Sequence, residues 1–225
     1  MDTIAIFDLD GTLTRRDTLL PWLVQMQSCG SFVWHLPYYL YQYAAYRLSG
    51  GVADRYKERI IGTVVRGWSY EEGVQRGAAF ADQIDQMLRP EAIRRLEQHQ
   101  RDGHRTVLLT ASTDLAVSSW ARRRGFDLVL ATELELAEGL YTGRFATPNC
   151  KGAEKVRRLD LALPEWRTVT TYGYGDSASD RDFLALCTKH YYGTFEEAVT
   201  RAVAGGATMR TGRVGAALRP STLYL

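Results

Sequence analysis

The stretch Ile4-Ala5-Ile6-Phe7-Asp8-Leu9-Asp10-Gly11-Thr12-Leu13-Thr14 is an apolar run that stops at two carboxylates, a glycine and a hydroxyl. The uncharged residues ahead of Asp8 fit a strand covered on both faces of a parallel sheet. Side chains two apart on a strand share a face, so Asp8 and Asp10 are expected to converge. Gly11 lets the backbone turn sharply after them. Close carboxylates repel unless a cation lies between them, and a hard divalent ion with oxygen ligands, typically Mg²⁺, meets that need. The stretch therefore predicts a metal-assisted site with an aspartate nucleophile.

Further along, Thr106-Val107-Leu108-Leu109 reads as a short buried strand ending in Thr110-Ala111-Ser112-Thr113, followed by a helix over 114–124. Residues 127–131, 168–174 and 190–192 read as later strands, with helices over 152–161 and 195–203. Residues 133–145 alternate and turn at Glu138-Gly139, which predicts a β-hairpin flap. Strands alternating with helices predict an α/β fold with a parallel sheet, whose reactive groups gather where strands end. Each strand end supplies a different group: Asp8 and Asp10, the Thr110 hydroxyl, a cation at Lys151 or Lys155, then Asp176 and Asp180. Taken singly, such residues are ordinary turn formers, caps and solvated cations. At successive strand ends they form the inventory for phosphoryl transfer.

Residues 18–46 contain no Asp, Glu, Lys or Arg, yet Gln25, Gln27, Ser28, His35 and Gln42 interrupt them, unlike a membrane-spanning segment. They read as two helices, 19–27 and 32–48, hinged at Cys29-Gly30. The second carries Trp34, Tyr38, Tyr39, Tyr41, Tyr43 and Tyr46. Rings with an apolar body and polar tip suit a cap core and pocket wall, a membrane surface or a partner interface, and the sequence leaves all three open. Asp54, Arg55, Lys57, Glu58 and Arg59 then read as a solvated helix, followed by helices over 70–87 and 90–100. Ser69 with Glu72 predicts a capping box, and Pro90 fits a first helical turn. These segments read as a helical insert rather than as chemistry.

A chain of 225 residues, 45% hydrophobic and 24% charged, holds one large domain or a domain with a substantial insert. This composition excludes disorder and a polytopic membrane protein. The net charge is +2, with no basic stripe interleaved with aromatics and no zinc-finger spacing, so no nucleic-acid partner is expected. Arg122-Arg123-Arg124, closed by Gly125, reads as the basic last turn of a helix. Cys29, Cys150 and Cys187 are few, odd in number and widely spaced, as reduced cytosolic thiols are. The apolar N-terminus runs straight into Asp8, so no cleaved signal is expected, and the chain reads as cytoplasmic. The aromatic segment leaves peripheral membrane contact open.

The motifs resemble those of the haloacid dehalogenase-like hydrolase superfamily over nearly the whole chain. Phe7-Asp8-Leu9-Asp10-Gly11-Thr12-Leu13-Thr14 is similar to its first motif and Leu108-Leu109-Thr110 to its second. Lys155 matches the third, and Gly175-Asp176-Ser177-Ala178-Ser179-Asp180 the fourth. The insert and flap resemble those of the phosphoserine-phosphatase-like subgroup. The resemblance implies a Rossmann-like core of residues 1–14 and 90–225, with a helical cap of residues 15–89. It also implies that Asp8 attacks phosphorus and that Asp10 protonates the leaving alcohol and then activates water. Mg²⁺ would be held by Asp8, the backbone carbonyl of Asp10 and Asp176, supported by Asp180. Thr110 and Lys155, with backbone N–H groups near Gly11 and Ala111, would hold the phosphate. Lys151 is a rival for the third motif, but Cys150-Lys151-Gly152-Ala153-Glu154-Lys155-Val156 is similar to the subgroup's Cys-x-Gly-x-x-Lys-Val and favours Lys155.

Phosphoserine phosphatases have glutamate where Asp17 stands, and Gly-Asp-Gly-x-Asn-Asp in the fourth motif. Asp17 is therefore a candidate for substrate selection. The expected reaction is Mg²⁺-dependent hydrolysis of a phosphorylated small molecule or lipid through an aspartyl-phosphate. Phosphoserine or another small metabolite is the alternative substrate. A phosphomutase is a rival, as is an inert binding module whose Arg210, Arg213 and Arg219 touch anionic lipid.

Overall fold

A computed structural model of the chain describes residues 3–49 and 53–195. In chain order its strands are β1 (Thr3–Phe7), β2 (Arg105–Thr113), β3 (Leu128–Thr132), β4 (Leu134–Ala137), β5 (Leu140–Phe145), β6 (Thr170–Gly175) and β7 (Lys189–Tyr192). Its helices are α1 (Leu19–Met26), α2 (Cys29–Ser49), α3 (Ala53–Val65), α4 (Tyr70–Met87), α5 (Pro90–Arg101), α6 (Asp114–Arg123), α7 (Ala153–Ala162) and α8 (Arg181–Leu184). Five strands form a parallel sheet in the order β3-β2-β1-β6-β7, and β4 pairs with β5 as an antiparallel hairpin.

Alternation along the strands explains why the sheet is covered on both faces. Ala5, Phe7 and Leu108 pack into one apolar cluster with Val117, Trp120 and Leu96. Ile4, Ile6, Val107 and Leu109 pack into another with Leu159, Trp166 and Phe183. Helices α5 and α6 thus cover one face, and α7 and α8 the other. β1 sits at the centre because every one of its core residues has a layer to bury against.

On the first face an aromatic ladder crosses three strands in register. Phe7 stacks on Tyr174 at 4.5 Å between ring centroids, and Tyr174 on Tyr191 at 4.8 Å. His99 of α5 lies edge-on to Phe7; its Nε2 is 2.8 Å from the Tyr174 hydroxyl and its Nδ1 2.7 Å from His104 Nδ1. Burial, followed by His104 and Arg95 and opposed by Asp102, lowers its pKa from 6.5 to about 4. A depressed folded-state pKa means that its contribution to stability is present above pH 6.5 and is lost as pH falls towards 4. Acidification from pH 7 to pH 5 is expected to cost about 2 kcal/mol through this group. Chemical denaturation at the two pH values should show that loss, and His99→Gln should remove most of it; an equal loss in the variant refutes the attribution.

Between β1 and β2 the chain leaves the sheet and returns by adjacent paths. Arg15 N–H donates to Met87 O and Arg89 N–H to Leu13 O, both at 2.8 Å, around a bridge between Thr14 and Leu88. The hairpin reaches back to the inserted helices. Gly67 N–H donates to Tyr141 O and Tyr141 N–H to Trp68 O, both at 2.9 Å, and Tyr70 N–H donates to Gly139 O at 3.1 Å. Phe145 N–H donates to Glu58 of α3 at 2.9 Å. The packing is close enough that a Cβ on Gly62 would lie 2.6 Å from the Gly143 carbonyl oxygen.

Several local expectations are corrected. The break between α1 and α2 falls at Gln27-Ser28 rather than Cys29-Gly30, because the Ser28 hydroxyl accepts the Ser31 N–H and starts the helix there. As the reading of a helix over 32–48 requires, α2 runs through Pro37, which has no N–H to offer the Val33 carbonyl. Only half of the capping box forms. Ser69 accepts the Glu72 N–H at 3.1 Å, while the Glu72 carboxylate pairs with Arg76 instead. β2 runs on to Thr113, so Thr110 to Thr113 belong to the strand. The expected helix over 195–203, beyond Phe195, and Arg210, Arg213 and Arg219 lie outside the described residues. Among the described residues no helix is long and apolar enough to cross a membrane.

Candidate active site

β1 is where the sheet's connections part, since the chain leads from it towards β2 on one side while β6 leads to β7 on the other. The crevice at such a switch point, beyond the strand ends, is the usual ligand site of an open α/β sheet. Asp8 and Asp176 stand there, just past β1 and β6. Asp8 still belongs to the ladder through its N–H, which donates to Tyr174 O at 3.0 Å. Beyond it the backbone coils tightly over Leu9–Leu13, with Gly11 at φ 81°. A Cβ at Gly11 would collide with the Asp176 carboxylate, so glycine serves both the turn and the close approach.

Asp8 is 6% exposed. Its Oδ1 accepts from Lys155 Nζ at 2.7 Å, and its Oδ2 lies 3.2 Å from the Thr12 hydroxyl. The same hydroxyl is 3.2 Å from Asp176 Oδ1, which draws the two carboxylates together. Lys155, in the first turn of α7, also donates to Asp180 Oδ1 at 2.5 Å. Asp180 Oδ2 accepts from the N–H groups of Asp176 and Ser177 and from the Ser177 hydroxyl. Asp180 thus ties Lys155 to the loop after β6.

These contacts set the charges. Burial pushes Asp8 up to about 7 although Lys155 opposes it. Burial also works against the Lys155 ammonium, but Asp8 and Asp180 outweigh it and hold the pKa above the usual lysine range. Asp180 is buried too, yet Lys155 and Ser177 keep its carboxyl below the ordinary value. Asp176 is raised, first by burial and then by the Asp180 charge.

Asp10 does not join this cluster. β1 stops at Phe7, so strand alternation no longer governs the pair and the Asp10 side chain turns elsewhere. Its Oδ1 accepts the Thr18 N–H at 2.8 Å and its Oδ2 the Ser112 hydroxyl at 2.7 Å. Asp8 and Asp10 nevertheless share a cavity of about 270 Å³ with Asp17, Lys57, Ala111 and Lys151. Asp17 accepts the Leu19 N–H at 2.6 Å and is pushed up to about 6, chiefly by burial and then by Asp10. Thr110 is fully buried and does not line the cavity; its hydroxyl accepts the Ser112 N–H at 3.0 Å. Lys155 lies buried behind Asp8, whereas Lys151 is exposed at the cavity wall.

Four residues at this site were not singled out from the sequence. Thr12, Thr18 and Ser112 position the acids, and Lys57 of α3 donates to the Ala111 carbonyl at 2.7 Å from across the cavity. Ser112 stands two residues after Thr110, a spacing that marks it once the strand is known to continue. Lys57 looks like any other charge on a solvated helix, and only the fold brings it to the site.

The family model of the haloacid dehalogenase-like hydrolases matches residues 5–185, from β1 to the end of α8. The chain belongs to this family. Protein CicA of Caulobacter vibrioides is a relative of the hydrolase, 31% identical over 199 residues, covering 85% of this chain and 86% of CicA. A histidinol-phosphatase of Neisseria meningitidis serogroup C is 26% identical over 210 residues, covering 83% and 87%. The hydrolase also shares its fold with a phosphoserine phosphatase solved as a phospho-aspartyl intermediate analogue. That match has a TM-score of 0.52 at 12% identity and covers 84% of this chain and 85% of the other. The sheet with its hairpin and helical insert is thus the phosphoserine-phosphatase-like form of the haloacid dehalogenase-like fold.

Proposed function

We propose that this hydrolase is a Mg²⁺-dependent phosphomonoesterase that works through an aspartyl-phosphate. The observation that carries the reading is Asp8 itself: a buried carboxylate at the end of the central strand, paired with a lysine and facing a cavity shared with a second, separately held acid. Asp8 attacks phosphorus, and the bond from phosphorus to the ester oxygen breaks as the bond to Asp8 forms. Asp10 gives its proton to the departing alkoxide. In the second half Asp10 takes a proton from water, whose oxygen attacks phosphorus and releases inorganic phosphate and free Asp8. The clamp from Thr18 and Ser112 supports this role, because it holds the Asp10 carboxyl in one orientation beside the nucleophile. Lys155 and the N–H groups around Gly11 and Ala111 offset phosphate charge, with Thr110 behind them.

The carboxylates fit a hard divalent cation. One oxygen each from Asp8, Asp176 and Asp180 lies within 4.8 Å of the others, and the donor set is all oxygen. The family resemblance implies that Asp8, Asp176 and the Asp10 backbone carbonyl would hold Mg²⁺, with Asp180, which accepts from Lys155 and the Ser177 donors, supporting them. When bound, the ion neutralises charge on the transferring phosphoryl group.

Two measurements test this. Release of phosphate from p-nitrophenyl phosphate should require Mg²⁺, stop with EDTA and return on adding the ion. Mg²⁺ at about a hundred times its Kd should stabilise the fold by about 2.7 kcal/mol, a rise in Tm of about 5–10 °C. Asp176→Asn should lose that rise. Metal-independent hydrolysis, or an undiminished rise in the variant, refutes the assignment.

A further inference from the structure

Beside the polar cavity lies a second chamber of opposite character. Between α1, α2 and α3 lies a cavity of about 250 Å³, and Leu19 and Tyr56 stand in the walls of both. The rest of its lining includes Leu23, Phe32, Leu36, Leu40, Tyr43 and Ile60; among the described residues no carboxylate, ammonium or guanidinium lines it. Tyr56 marks the junction. Its ring stacks on Tyr46 of the polar chamber at 5.6 Å and tilts against Tyr43 of the apolar one at 6.1 Å. Asp8, Asp17 and Lys57 thus share the polar cavity, and the chamber beside it presents an uncharged hydrocarbon wall. Leu36 and Leu40 are 38% and 48% exposed, so this wall faces solvent rather than closing into core.

A small polar alcohol released at Asp8 would leave this wall wet, whereas an apolar chain on the alcohol would cover it and gain affinity with each methylene buried. We propose that the substrate is a phosphomonoester whose alcohol carries an apolar chain, alkyl, acyl or isoprenoid in chemistry. The chain lies in the groove between α1, α2 and α3 while the phosphate meets Asp8. The inference rests on the phosphomonoesterase reading and names its substrate class. Asp17, which accepts the Leu19 N–H, and Lys57, next to Tyr56 in the chain, line the polar cavity beside the shared wall and meet the polar part of the alcohol. The wall that the groove shares with the reaction site, Leu19 and Tyr56, is what makes the occupant a part of the substrate instead of a partner protein.

The test is a series of monoalkyl phosphates from ethyl to octyl, kept below micellar concentrations, with Mg²⁺ and the full-length chain. kcat/KM should rise by about three- to fourfold per methylene until the groove is filled. A second arm presents a diacyl phosphatidic acid in phosphatidylcholine vesicles. Hydrolysis there identifies a bilayer lipid as the source of the chain; hydrolysis of the dispersed series alone identifies a soluble amphiphile, and either supports the proposal. A kcat/KM independent of chain length overturns it, and if p-nitrophenyl phosphate is still hydrolysed the phosphomonoesterase reading stands. If p-nitrophenyl phosphate is not hydrolysed either, that reading falls too. Leu36→Gln and Leu40→Gln locate the chain. In each, the ratio of octyl to ethyl kcat/KM should drop at least tenfold. Both rates are read on one sample, so misfolding lowers them together and cannot produce the drop. A wild-type ratio in both variants overturns the placement in this groove.

Discussion

Asp8→Asn is expected to lower kcat by about 10⁴-fold or more while leaving the protein folded, with Tm no lower than that of the parent. The first half follows from removing the nucleophile, since an amide oxygen does not replace a carboxylate in attack on phosphorus. The second follows from the electrostatics: burial already pushes the Asp8 carboxyl up to about 7, so its charged form is held at a cost that the neutral amide avoids. Lys155 keeps its second partner, Asp180, at 2.5 Å. Steady-state phosphate release and a thermal melt on the same preparation check both halves. Retained turnover refutes the role of Asp8; lost turnover with a collapsed melt leaves Asp8 as a structural residue.

Lys155→Met is expected to do the reverse and damage the fold as well as the reaction. Lys155 is 1% exposed and is the ammonium between Asp8 and Asp180. Removing one partner of a buried ion pair leaves uncompensated charge and costs about 3–5 kcal/mol. In a chain of this size that corresponds to a fall in Tm of about 6–20 °C. The Asp8→Asn/Lys155→Met double variant should recover part of the loss, because only Asp180 is then left without its lysine. A Lys155→Met protein as stable as the parent refutes this account. Comparing Lys151→Met decides between the two lysines: at an exposed wall position it should change Tm by less than about 2 °C.

The architecture was legible because most strands are bounded by residues that announce their ends, β2 excepted, which runs on to Thr113. Asp8, Asp176 and the Glu138-Gly139 turn stand within a residue or two of the places the structure gives them. Strand periodicity predicts converging side chains, but β1 stops at Phe7 and the tight coil after it sends Asp10 to Thr18 and Ser112. The acids that do cluster with Asp8 are far away in sequence, and only the parallel pairing of β1 with β6 brings them together. The aromatic run in α2 illustrates a different limit. Tyr39 is buried, Trp34 is 83% exposed, and Tyr43 and Tyr46 line two different chambers. Helical spacing tells which rings share a face, but not what that face meets.

The backbone bonds between residues 67–70 and 139–141 bear on how the hairpin is held. Three peptide hydrogen bonds and the Phe145–Glu58 bond join it to the inserted helices. Those helices are in turn fastened to α6, where Trp120 Nε1 and the Arg124 guanidinium donate to Asp85 of α4. At about 0.5–1.5 kcal/mol for each neutral bond, detaching the hairpin from the insert costs several kcal/mol. The hairpin is thus moored to the insert as well as to its own strand partner, and a change that loosens one is felt by the other.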